Sequence, residues 1–122
     1  MTEPSTSERF RLHAEICKVL TAPKRLVLLS ALRHGDRSVG ELATEHGLSL
    51  PNASQHLAVL RAAGLVDGRR EGTSVRYRLA EPAILDACEI VNGIVERRLA
   101  DRTSAALGDV GRAPGQPAAA AG

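Results

Sequence analysis

Gly47-Leu48-Ser49 leaves almost no room between two short helical stretches, and this spacing constrains the fold more than any other feature of the chain. Upstream, Ser38-Val39-Gly40-Glu41 has the form of a capping box. In that motif the serine hydroxyl accepts from the glutamate amide, and the carboxylate accepts from the serine amide. The helix begun there stops at Gly47. Downstream, Ser49 is placed to cap the next helix, Pro51 is tolerated in its first turn, and Gly64 ends it. Two short helices joined by so tight a turn form a helix-turn-helix unit. Ala53, Leu57 and Leu60 fall at i, i+4 and i+7 and predict the face turned to the core. Asn52, Ser54, Gln55 and His56 are then left on the outside.

Helices flank this unit on the N-terminal side. Phe10, Ala14, Cys17 and Leu20 recur at helical spacing and predict a first helix over about Glu8–Thr21. Pro23 is preorganised for the start of a second, Lys24–His34, which ends at Gly35. After Gly64 the period changes. Leu65–Glu71 and Ser74–Leu79 carry β-branched residues, Val75-Arg76-Tyr77-Arg78-Leu79 alternates apolar and charged, and Gly72-Thr73 between them marks a hairpin. Pro82 opens a last helix bearing Ile84, Ala87, Cys88, Val91, Ile94, Val95 and Leu99. The predicted order is α-α-α-α-β-β-α, mainly helical, with two or three short strands forming a small β-hairpin wing: a winged helix-turn-helix. Residues 1–7 are expected to be a flexible N-terminus and 8–107 the domain, with a disordered tail rich in Gly, Pro and Ala at 108–122.

A chain of 122 residues fits one such domain. Its only aromatic residues are Phe10 and Tyr77. The core is therefore aliphatic, and the scarcity of rings argues against base stacking on an aromatic platform as a binding mode. Net charge is only +2, but it is unevenly spread. Between Leu20 and Ala80, nine Lys/Arg stand against five Asp/Glu, and Arg69, Arg70, Arg76 and Arg78 fall within the hairpin. Such a local cluster suits a phosphate backbone. No apolar run approaches the ~18–20 residues that cross a bilayer, and Met1–Arg11 lacks the apolar core of a secretory signal. The protein is expected in the cytoplasm, away from membranes, with Cys17 and Cys88 reduced at rest. An enzyme is not expected: His34, His46 and His56 show no partnership with a nucleophile, and no phosphate-binding glycine loop occurs.

The second helix of a helix-turn-helix presents its N-terminal side chains to base edges in the major groove. Here the candidates are Ser49, Asn52, Ser54, Gln55 and His56, with amides and hydroxyls of the kind that read bases. Arg69, Arg70 and Arg76 of the hairpin are the candidates for contacts along the backbone or in the adjacent minor groove. The expected partner is double-stranded operator DNA.

Ala22-Pro23-Lys24-Arg25-Leu26, Ser38-Val39-Gly40-Glu41-Leu42-Ala43, Ser54-Gln55-His56-Leu57-Ala58-Val59-Leu60 and Ala63-Gly64-Leu65-Val66 together resemble the ArsR/SmtB-type (arsenic-repressor) family. So do Arg69-Arg70-Glu71-Gly72 and Val75-Arg76-Tyr77-Arg78-Leu79, and the resemblance runs from about Phe10 to Leu99. It implies a homodimer joined through the first and last helices, and a repressor that leaves DNA when a metal, metalloid or sulfur oxidant binds. Leu50 departs from the polar residue common in the family at that place.

None of the family's usual metal sites is intact. Glu41-Leu42-Ala43-Thr44 carries no thiol, and the recognition helix has no cysteine pair. On the last helix Asp86-Ala87-Cys88 is followed by Leu99 where a histidine would stand. Cys17, Cys88 and His13, one turn before Cys17, remain as candidate sensor residues. Three readings stay open for them: buried structural thiols, a disulfide or persulfide redox sensor, and a soft metal or metalloid site. No cofactor is otherwise implied, and the inducer is unspecified. The alternative function is a winged-helix module that contacts proteins and does not select DNA sequence.

Overall fold

The computed structural model describes residues 2–108, which form two compact units, the first running to Leu85 and the second starting at Asp86. Within the first unit the chain runs through α1 (Thr6–Val19), α2 (Pro23–Ala31), a 3-10 turn (Leu32–His34), β1 (Arg37–Ser38), α3 (Val39–Glu45), α4 (Leu50–Ala62), β2 (Val66–Glu71) and β3 (Ser74–Leu79). Helix α5 (Ala83–Gly108) contributes Ile84 and Leu85 to that unit and forms the second one from Asp86 onward. The fold is mainly helical with a small antiparallel sheet, as expected of a winged helix-turn-helix.

Local chemistry sets each start. Ser38 accepts from the Glu41 amide at 3.0 Å and the Glu41 carboxylate accepts from the Ser38 amide at 3.2 Å, completing the capping box of α3. Ser49 accepts from the Asn52 amide at 3.2 Å and caps α4. The first helix starts earlier than its apolar spacing predicts, because Ser5 is a working cap: its hydroxyl accepts from the Glu8 amide at 3.1 Å. It also ends earlier, at Val19, since the Leu20 and Thr21 amides turn back to the carbonyls of Cys17 and Lys18. The last helix reaches Gly108, and the rest of the tail expected to be disordered lies outside the described residues.

Leu28, Leu29 and Leu32 meet Leu42 of α3, Leu57 and Leu60 of α4, and Leu65, Val66 and Tyr77 of the sheet in one aliphatic core. Ala53, Leu57 and Leu60 are all fully buried, so α4 docks by the face its spacing predicts. Replacing such a leucine by alanine costs about 2–5 kcal/mol, which makes the seating of α4 a large part of a small domain's stability.

Strand order is β1-β3-β2. The hairpin registers Val66 opposite Leu79 and Glu71 opposite Ser74, and Gly72, at φ +64°, takes the first position of its two-residue turn. The extra strand β1 pairs Arg37 with Tyr77 and Ser38 with Arg76, which lays the start of α3 directly against the wing. At two residues it is too short to carry any periodicity. Gly68 faces Tyr77 across the hairpin, and a Cβ there would lie 3.1 Å from the tyrosine ring and 3.2 Å from Val75. The missing side chain is what lets the ring lie over the strand pair.

Candidate nucleic-acid interface

With its buried face fixed, α4 leaves Ser54 and Gln55 fully on the surface near its N-terminal end. Asn52 is only half exposed, and the Ser49 hydroxyl accepts its amide as a cap. Leu50, 53% exposed, puts an apolar side chain at the first helical position. His56 is not on the outer edge where its place in the sequence put it. It is half covered, and its Nδ1 lies 3.4 Å from Nη1 of Arg25 on α2. Burial, reinforced by the charges of Arg25 and then Lys24, holds His56 below the usual histidine range and so favours the neutral ring.

The hairpin arginines fall into two groups. Side chains alternate along a strand, so Asp67, Arg69 and Glu71 share one face with their cross-strand neighbours Arg78, Arg76 and Ser74. That face is internally neutralised. Arg69 meets Glu71 at 3.4 Å, Arg78 meets Asp67 at 3.7 Å, and Arg76 meets Glu41 at 3.3 Å while also donating to the Asp36 carbonyl at 3.1 Å. A shallow cleft of about 290 Å³ lined by Asp36, Asp67, Gly68, Arg69, Arg76 and Arg78 lies over it. Arg76 is half buried and braces the wing against α3, which differs from the phosphate contact its charge suggested.

Arg70 occupies the opposite face, in register with Val75 and on the same side as Val66, Gly68 and Tyr77. It is exposed, and among the described residues it is the one hairpin arginine without an acidic partner. Because that side of the ribbon carries the core, Arg70 projects on the side where the helices pack.

Glu41 joins these parts. Its carboxyl is held below the ordinary carboxylate range chiefly by the Ser38 amide, then by the Ser38 hydroxyl, with smaller help from Arg76 and Arg37. Arg37 in turn is paired with Glu45 and lies 3.9 Å from Glu41. Sequence reading missed Arg25, Arg37 and Arg61 as parts of this surface. A signal for Arg25 was present: Lys24 and Arg25 put two cations in the first turn of α2, the wrong sign for a helix N-terminus. Arg61, exposed in the last turn of α4, adds a cation whose Nη1 would be 3.3 Å from a Cβ at Gly68.

Cys17 and His13 are both exposed on α1, and Cys88 is half buried on α5. Among the described residues no three His, Cys, Asp or Glu side chains stand together as a metal site. No described helix is long and apolar enough to cross a membrane.

A family model described as bacterial regulatory protein, arsR family, matches residues 22–67, from the end of the α1–α2 link into β2. The uncharacterized HTH-type transcriptional regulator Rv0081 of Mycobacterium tuberculosis is 42% identical over 96 residues, which cover 78% of this chain and 84% of that one. The chain belongs to the arsR family. The crystal structure of Rv0081 matches this arsR-family fold with a TM-score of 0.68 at 40% identity, covering 84% of this chain and 99% of that one. The homodimeric winged helix-turn-helix DNA-binding domain of Mb0332 from Mycobacterium bovis, a possible ArsR-family regulator, matches at TM-score 0.69 and 33% identity over 81% of this chain and 94% of that one. The biofilm growth-associated repressor of Xylella fastidiosa is 38% identical over 94 residues, 77% of this chain and 80% of that one. These arsR-family relatives are named as transcriptional regulators and repressors.

Proposed function

We propose that this arsR-family chain is a transcriptional repressor that binds double-stranded operator DNA as a homodimer and leaves it when a chemical inducer is sensed. The observation that supports this most is the exposed Ser54–Gln55 edge of α4 beside a wing whose Arg70 has no acidic partner among the described residues. An amide such as Gln55 bonds adenine through two hydrogen bonds, and a free guanidinium at a hairpin tip suits a phosphate oxygen. Arg76 ties the wing to α3, Arg69 and Arg78 pair with acids of the wing itself, and all three contribute less to the grip.

Two-fold assembly supplies the second recognition helix. Helix α1 buries none of its residues within the chain and leaves Phe10 67% exposed, while α5 exposes Ile90, Val91, Ile94, Val95 and Leu99. A second copy covering these surfaces would set two α4 helices about one DNA turn, ~34 Å, apart on a near-palindromic site. The homodimeric state of the Mb0332 domain supports this assembly.

For the inducer, a thiol oxidant or sulfur species is favoured over a metal or metalloid. Cys17 is accessible and Cys88 is half covered, and within the described residues of one chain no cluster of ligands stands ready for an ion. Loss of two electrons and two protons to the oxidant would join two thiols as a disulfide, with an intervening sulfur atom if a polysulfide reacts.

Electrophoretic shift on DNA upstream of the protein's own coding region, against random DNA of equal length, tests the repressor reading. Selective binding that weakens with salt is expected. Equal binding to both would point instead to a module that docks on acidic protein surfaces.

A further inference from the structure

Arg25 sits in the first turn of α2, where a cation opposes the partial positive charge of the helix end. It is compensated by two other helices. Its Nε donates to the carbonyl of Val19 at 2.6 Å, and Val19 is the last residue of α1, so the guanidinium caps the negative end of that helix. Its Nη1 lies 3.4 Å from Nδ1 of His56 on α4. One half-covered side chain thus spans the end of α1 and the helix assigned to DNA.

A guanidinium offers only N–H donors and does not give up its proton. The ring nitrogen that faces it must therefore supply a lone pair. With Nδ1 as acceptor, neutral imidazole carries its proton on Nε2. The charged groups set against the ring are Arg25 and Lys24, both cations, and both disfavour a second proton on it.

We propose that Arg25 is a positioning residue which locks His56 with Nδ1 inward and presents Nε2–H as a neutral, directed donor to a DNA phosphate oxygen. The proposal rests on the DNA-binding reading of α4. A phosphate is favoured over a base because His56 lies on the half-covered flank of the helix, beside α2, and not on the outer edge that carries Ser54 and Gln55. Direction is what the lock adds. A free imidazolium would be attracted to any phosphate, whereas a fixed N–H selects one position along the backbone and helps set the register of α4.

The test uses the full chain with 15N-labelled histidine. Long-range 1H–15N spectra, with His56 assigned by its loss in His56→Ala, should show Nδ1 bare and Nε2 protonated near neutral pH. The His56 titration midpoint should fall below the usual histidine range, and Arg25→Met should raise it and mix the tautomers. In anisotropy titrations Arg25→Met and His56→Ala should each weaken DNA binding by about tenfold, on operator and random DNA alike, with the double variant within about threefold of either single one. A wild-type ring protonated on Nδ1, or a double variant about a hundredfold weaker, would overturn the proposal. The wild-type ring state needs no Arg25 variant, so a misfolded Arg25→Met does not remove the test. The expected ring state in a chain that binds no DNA would sink the repressor reading and the role of Nε2–H with it. The wrong ring state with selective binding intact would sink this proposal alone.

Discussion

Glu41 Oε1 on α3 and Arg76 Nη1 on β3 stand 3.3 Å apart, 35 residues from one another in sequence. The same carboxylate accepts the Ser38 amide at 3.2 Å. One side chain therefore starts the first helix of the helix-turn-helix and fastens the wing to it. This tie between the wing and the helix-turn-helix uses neither Ser54, Gln55 nor Arg70.

Glu41→Gln separates those duties. Glutamine still serves at the third position of a capping box, so the variant keeps a neutral cap and gives up the ion pairs and the charge on the bonds to Ser38. The Arg76 side chain is 30% exposed and that of Glu41 45%, and pairs this open to water contribute little. Urea unfolding should show a smaller loss for Glu41→Gln than for Ser38→Ala, whose missing cap costs about 1 kcal/mol. A larger loss for the glutamine variant would make the link to the wing, and not the cap, the dominant role.

Acid gives an independent reading of the same carboxyl. Its value in the fold lies below the ordinary 4.5, so its contribution to stability is fully present above 4.5 and is lost as pH falls through the lower, folded value. The stability gap between wild type and Glu41→Gln should be open at neutral pH and should close in acid. Stability curves measured from neutral to strongly acidic pH would contradict this if the gap widened instead.

Gly68→Ala should destabilise the domain by about 1–3 kcal/mol, the cost typical of overpacking a well-filled site. The added methyl would meet the Tyr77 ring at 3.1 Å and Val75 at 3.2 Å, and neither belongs to a free chain end. Thermal and denaturant melts measure the loss. An unchanged midpoint would mean that the ring has room to move.

Replacing Cys17 and Cys88 together by serine should leave operator binding intact and abolish its loss on treatment with a polysulfide or a disulfide-forming oxidant. Release measured by anisotropy before and after the oxidant decides the matter. Normal release by the double variant would return both thiols to a packing role.

What the sequence revealed and what it concealed divide by distance along the chain. Ser38 and Glu41 are three residues apart, and their reciprocal cap is legible because both bonds are local. Ala53, Leu57 and Leu60 declare the buried side of α4 through helical period alone, and Gln55 follows as the residue left outside. The partners of Arg76 and Arg25 lie 35 and 31 residues away, so charge composition could count these arginines but not say which were already engaged. Arg69, Arg70 and Arg76 looked equivalent for that reason. Hairpin register is what separates them, by placing Arg70 on the face opposite the two paired ones. His56 was misplaced because a half-covered flank and an exposed edge differ by a fraction of a helical turn. The sensor was least legible: a thiol's environment depends on what surrounds α1 and α5, and sequence spacing carries none of that.

The division of labour between Gln55 and Arg70 offers the most direct measurement. Anisotropy titrations of wild type, Gln55→Ala and Arg70→Ala, on operator, single-base operator variants and random DNA across a range of salt, separate base reading from backbone grip. Gln55→Ala is expected to lose about 1–3 kcal/mol of preference at one base pair and to keep the wild-type affinity for random DNA. Arg70→Ala should weaken binding to every sequence and lower the log–log salt slope by roughly 0.9 for each phosphate that is no longer neutralised, two in a dimer. Unchanged preference in the first variant together with an unchanged slope in the second would contradict the assignment of α4 and the wing as the DNA-binding surface.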